Sequence, residues 1–340
     1  MQPSVLTRAM VFASGLVACA PAAAPVRAEP PRSEQAGKPA APEALAIDGN
    51  QPHRILKAWE VNAGGRGVAV AVARSAGRVA AAVADSPVKL YDARTGKGLG
   101  VSASCTDVLR SGVYLAASRL IVACGSRVEQ YQLSGLKELS RLEFEPEQRA
   151  VAATLSWPWL ALGHRDGVLR VYDLVGGGVR EIEVPGPPID VKSLALSRDG
   201  ERLAVAWVQG SIWWWTIDTP EQPNRLARYE NESDALAFDR SGRLLAEEGE
   251  AQITRVWGLD DAKPTSERRH GAWIKSLWFT RRGDWLVRGG SHGVDLVELA
   301  GEGTLSLANG LVEDVALDED GTSLAAVDRE GNLRLWVGRP

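Results

Sequence analysis

The sequence predicts an all-β fold: a seven-bladed β-propeller of four-stranded antiparallel blades, closed by the N-terminal strand completing the last blade. Three observations predict it. An aromatic or apolar residue that ends a short strand recurs at nearly constant spacing, two columns of glycine-bearing turns keep phase with it, and a strand-like segment ahead of the first unit has no unit of its own.

The strand-ending anchors are Tyr91, Tyr131, Tyr172, Trp215, Trp257, Val297 and Trp336, at intervals of 40, 41, 43, 42, 40 and 39 residues. Gly77, Gly200, Gly242, Gly283 and Gly321 lie 14 or 15 residues before their anchors, in strings such as Ser197-Arg198-Asp199-Gly200 that read as tight hairpins. Gly167, Gly210, Gly293 and Gly331 lie 4 or 5 residues before theirs. Each unit therefore holds two hairpins. Between the turns run short strands such as Leu203-Ala204-Val205-Ala206-Trp207 and Ile212-Trp213-Trp214-Trp215. Segments ahead of the first turn, such as Val68-Ala69-Val70-Ala71-Val72, are small and apolar, as suits a crowded innermost strand.

Closure supplies the last element. The chain stops just after Trp336, so the seventh unit has no fourth strand of its own, while Arg54-Ile55-Leu56-Lys57-Ala58-Trp59-Glu60-Val61 precedes the first unit. Pairing that segment with the last unit gives seven blades of four and removes an exposed sheet edge.

A repeat of this length with four short strands resembles the WD40-type propeller, over Arg54 to Pro340. The family's terminal Trp-Asp is approached only by Tyr91-Asp92 and Tyr172-Asp173, and its Gly-His pair is absent apart from the reversed His270-Gly271. Asp166 and Asp328 sit where the family's turn aspartate would lie, which implies a structural role. Tyr91-Asp92-Ala93-Arg94-Thr95-Gly96-Lys97 also resembles the repeat of quinoprotein-like propellers, including the lipoprotein propeller that assists outer-membrane protein assembly.

The chain divides into a signal peptide over 1–18, an Ala/Pro-rich tether over 19–52 and the propeller over 53–340. Arg8 precedes an apolar run too short to span a bilayer, the layout of a secretory signal. Leu16-Val17-Ala18-Cys19 resembles the lipobox of bacterial lipoproteins, which implies lipid on Cys19 and, with Ala20 next, an outer-membrane lipoprotein facing the periplasm. Cleavage after Val26-Arg27-Ala28 is the alternative and would release a soluble protein. The tether has no periodicity and too little apolar surface to order itself.

At 340 residues, 45% hydrophobic and 24% charged, the chain has ample material for a core. A net charge of -4 with no basic run argues against nucleic acid as a partner. Gly289-Gly290-Ser291-His292-Gly293 matches the nucleophile-elbow spacing but falls in the hairpin column and lacks the helix that an elbow requires. Gly96-Lys97-Gly98-Leu99-Gly100 precedes a strand and cannot present a helix N-terminus to phosphate. Four histidines without ligand spacing point to no metal and no cofactor. Cys105 and Cys124 fall on one face of the expected ring, as a disulfide or as two buried thiols.

His164, Trp207, Trp213, His270, Trp273 and His292 lie near the turn-and-link ends that converge on that face. They are the candidate partner-binding surface, with burial as the competing role for each. The expected function is a monomeric, non-enzymatic scaffold or assembly factor that binds proteins and touches the membrane through its N-terminal lipid alone. A lactonase-like or quinoprotein-like enzyme with its site at the channel mouth is the alternative. The inner strands, read as mainly Ala, Val, Leu and Ser, favour the scaffold.

Overall fold

The computed structural model describes residues 55–338, apart from 103, 117, 183, 185–189, 231–232 and 250–251. The expected signal peptide, Cys19 and tether, and Arg54 at the start of the closing strand, lie outside the described residues.

Seven four-stranded antiparallel sheets form, each from consecutive strands except the last. The innermost strands of blades 1 to 7 are Gly67–Ala73, Val108–Ala116, Ala150–Ser156, Val191–Leu196, Leu236–Phe238, Ile274–Phe279 and Val312–Leu317. Blade 7 is completed by Ile55–Asn62, which runs antiparallel to Asn332–Gly338 from Ile55↔Gly338 to Asn62↔Asn332. The Trp59 indole of that closing strand donates to Ala93 O of blade 1 at 2.9 Å, so the seam is tied on both sides.

Period-two alternation decides where the core sits. In Arg78–Val83, Val79, Ala81 and Val83 pack toward blade 7, whereas Ala80 and Ala82 pack toward blade 2. The same rule around the ring yields seven apolar clusters, one at each junction of neighbouring blades. The hydrophobic core is thus seven wedges, and the anchors Tyr91, Tyr131, Tyr172, Trp215 and Trp336 each fill the wedge shared with the preceding blade. Polarity rises outward: the second strand Trp285–Gly290 is wholly buried and the outer strand Glu138–Glu143 wholly exposed.

Both glycine columns form turns, and at Gly200, with φ of 75°, a Cβ would fall 2.1 Å from Trp159 Cδ1. The acid after an anchor has a local task as well. Asp92 accepts from the amides of Arg94 and Thr95, and Asp173 from those of Val175 and Gly176, which fixes the turn into the outer strand.

A further column lies two residues before each anchor: Lys89, Glu129, Arg170, Trp213, Arg255, Asp295 and Arg334. Six are charged, and each finds a polar partner inside its own blade or the seam beside it, although one terminal guanidinium nitrogen of Arg255 and one of Arg334 have no hydrogen-bond partner. Arg170 reaches Asp166 at 3.0 Å and Glu181 at 2.8 Å, Arg334 reaches Asp328 at 2.9 Å and Glu60 at 3.0 Å, and Arg255 reaches Glu267 at 2.8 Å. Asp295 receives a two-pronged pair from Arg288 at 2.9 and 2.6 Å, and Lys89 donates to Ala63 O. Burial alone would raise Glu129, but Ser104, Arg127 and Tyr131 hydrogen-bond it and hold it down to about 2. Asp166 and Asp328 therefore serve structure, by accepting turn amides and anchoring these arginines.

Candidate functional site: the loop-bearing channel mouth

Links between blades, together with the turns joining second and third strands, share one face of the ring, and each innermost strand starts there. In five blades that start carries a one-residue bulge, where Val68, Val151, Lys192, Lys275 and Glu313 are the extra residues. Asp234 holds the equivalent place in blade 5: like Lys192, Lys275 and Glu313, it lies eight residues before its hairpin glycine. Blades 4 to 7 thus present Lys192, Asp234, Lys275 and Glu313 in alternating charge around the mouth. Neighbours pair, Lys192 with Asp234 at 3.0 Å and Lys275 with Glu313 at 2.5 Å. The reading of the inner strands as mainly Ala, Val, Leu and Ser passes over these four charged positions. Lys192, Lys275 and Glu313 occupy bulge positions, and Asp234 lies just ahead of its strand, where a side chain can leave the packed sheet.

Blade 2 enlarges the bulge to four residues. Val108 pairs with Cys124 and the next pair is Val113 with Val122, so residues 109–112 stand opposite Ala123 alone. This strap crosses the mouth: Arg110 reaches Asp234 of blade 5 at 3.4 Å, and Ser111, at φ of 50°, donates to Asp314 of blade 7 at 2.8 Å. Gly112 is required in the strap, since a Cβ there would lie 2.7 Å from the carbonyls of Ala123 and Leu109. Asp314 is buried and also accepts from the Val70 amide at 3.0 Å. Burial pushes its carboxyl up to about 6 against the hydrogen bonds of Val70, Ser111 and Ser276. Burial likewise pushes Glu248 up to about 8, assisted by the charges of Asp234 and Glu247.

Cys105 and Cys124 form a disulfide with Cα atoms 6.5 Å apart, both buried, which ties the link leading into the strap to the strand beside it. With Asp107 they make the one grouping of three metal-type ligands among the described residues. The sulfurs are bonded to each other and Asp107 holds Arg149 at 2.6 Å, so this arrangement offers no free ligand set.

The six candidate surface residues separate into three blades. In blade 3, His164 is fully buried, with Nδ1 2.5 Å from Gln148 O and the ring edge-on to Phe144, so it serves packing. In blade 4, Trp207 is fully buried against blade 3, and Trp213 lies half-buried, stacked on Trp215 at 6.2 Å. Blade 6 brings the other three together. Ser291 and Trp273 exchange hydrogen bonds of 2.9 Å across the link and turn, His292 lies 3.2 Å from Asp295, and His270 Nδ1 accepts from the Ala272 amide at 3.3 Å within reach of the charges of Arg288 and His292. Burial and those neighbouring charges lower His270 to about 4. Of the six, Trp273 alone is largely open, at 58% exposure. Gly290 pairs with Gly293, which makes Ser291 and His292 a plain two-residue hairpin turn.

Among the described residues no helix is long and apolar enough to cross a membrane. No protein-family model matches the chain, and a search of curated proteins returns no match.

Proposed function

We propose that the chain is a WD40-like, non-enzymatic scaffold or assembly factor, tethered to the periplasmic face of the outer membrane through lipid on Cys19, that binds protein partners with its loop-bearing face. One observation carries the reading: the strap from blade 2 crosses the channel mouth and engages blades 5 and 7, so the chain itself occupies the place where a propeller enzyme gathers its reacting groups. The charges there are engaged in pairs with one another, and the exposed Trp273 is left beside them as an anchor for a partner. The Cys105–Cys124 bond accords with an oxidising compartment.

Crosslinking the membrane-anchored protein in cells, followed by affinity recovery and metal analysis of the same sample, tests this. The expected result is a recurrent protein partner recovered from the membrane fraction. Stoichiometric metal, or hydrolysis of a lactone by the recovered protein, with no partner, would overturn the reading in favour of an enzyme.

A further inference from the structure

We propose that the strapped mouth docks an acidic peptide segment, whose carboxylates are taken by Arg66 and Arg110 while an apolar residue rests on Trp273. The inference rests on the reading of this face as a partner surface and adds the chemistry of the partner.

Charge at the mouth is shared unevenly. Asp234 is contacted by both Lys192 and Arg110, at 3.0 and 3.4 Å, and Glu313 by both Lys275 and Arg66, at 2.5 and 3.9 Å. Four cations therefore surround two carboxylates. Asp314 lies buried beneath the strap with its oxygens engaged by Val70 and Ser111, and Glu248 is buried, so neither carboxyl is open to pair with the cations at the surface.

The two lysines are committed, with short contacts and side chains only 26% and 19% exposed. The two arginines are open. Their side chains are 63% and 42% exposed, and their contacts are longer than the roughly 2.7–2.9 Å of a charge-assisted hydrogen bond. Each guanidinium can turn its planar fork to an incoming carboxylate while Lys192 and Lys275 keep Asp234 and Glu313 in place.

Surface shape selects the ligand class. The strap lies across the mouth between blades 2, 5 and 7, which favours an extended ligand laid over it above a small anion enclosed beneath it. Two arginines are too few for the phosphate array of a nucleic acid, which the overall charge of -4 also opposes. Trp273 stands two residues before Lys275, beside the cationic centre, and adds an apolar contact that a free ion would not use. An extended segment with acidic residues and one apolar side chain meets all three.

The test is fluorescence anisotropy with a fluorescein-labelled peptide of six glutamates and one leucine, using the whole folded protein. Saturable binding is expected, weakened about tenfold or more by R66A/R110A and by raising salt from about 50 to about 300 mM. R66A alone leaves the strap contacts intact and should weaken binding severalfold, which keeps the test valid if the double variant unfolds. No binding, equal binding by R66A and the parent, or complete displacement by millimolar inorganic phosphate would overturn the proposal. Recovery of a partner through this face that R66A/R110A does not affect would refute the acidic-segment inference and leave the scaffold reading standing. Peptide binding with no cellular partner would do the reverse.

Discussion

Ser111 of blade 2 donates its hydroxyl hydrogen to Asp314 of blade 7 at 2.8 Å, fastening the strap to a strand two blades away round the ring. A local enlargement of one bulge thereby couples blades that share no sheet and no apolar wedge. Its cost falls on Asp314, a buried carboxyl that is held by hydroxyl and amide donors and, among the described residues, by no ion pair.

That burial has a pH signature. The unfolded carboxyl titrates near about 4, and the folded one is pushed up to about 6. The folded state therefore holds the proton more tightly, and this group's contribution to stability falls as pH rises from about 4 to about 6. Tyr114, on the strap's own strand, is itself pushed well above its usual value by burial and by the charge of Asp314. Asp314→Asn has no such titration. Relative to the parent it should gain about 2–3 kcal/mol between pH 4 and pH 7 in urea unfolding, at about 1.4 kcal/mol per pKa unit. A difference independent of pH would contradict the burial argument.

The Cys105–Cys124 bond closes a short loop at the base of the strap, with a sequence separation of 19. Loop-closure entropy puts its contribution at about 3 kcal/mol. The double variant Cys105→Ser/Cys124→Ser should lose that amount in denaturant unfolding without a reductant. Adding a dithiol should bring the parent to the same midpoint, and a midpoint unmoved by reduction would contradict it.

Closure by Ile55–Asn62 predicts cooperative dependence on a strand remote in sequence from the sheet that it completes. A chain beginning at Ala63 would expose the edge of Asn332–Gly338 and lose the Trp59 contact with Ala93. Its thermal unfolding should become broad, with early loss of protection in blades 7 and 1 by hydrogen exchange. A single sharp transition at the parent's temperature would contradict the closure's role.

Within blade 6, Arg288 and Asp295 are a buried pair. Arg288→Met leaves Asp295 with His292 as its remaining side-chain partner and should destabilise by about 3–5 kcal/mol. Adding Asp295→Leu should recover much of that loss, since the cost arises from the stranded charge. A double variant as unstable as the sum of both single changes would argue against this account.

The ring was legible in the sequence because its determinants repeat: anchors and hairpin glycines recur in fixed phase, and the unpaired N-terminal segment matches the one missing strand. The strap was not, because Leu109-Arg110-Ser111-Gly112 reads as an uninterrupted continuation of a strand and only its pairing shows the excess. Lys192, Asp234, Lys275 and Glu313 were recoverable. Their common offset of eight residues from Gly200, Gly242, Gly283 and Gly321 marks a column, but each looks incidental within its own apolar strand. His164 and Trp207 show the converse limit, since a position near a turn fixes the face of the ring and leaves the direction of the side chain open.

If the loop-bearing face is the partner surface, as proposed, site-specific photocrosslinking of the full-length chain in cells should place a partner there. A photoreactive residue in place of Trp273 on that face is compared with one in place of Asp320 in a first-to-second-strand hairpin on the opposite face, and one in place of Val179 on an outer strand. Adducts to a recurrent protein from the Trp273 position, and none from the other two, are the predicted result. Adducts only from Asp320 or Val179 would contradict it.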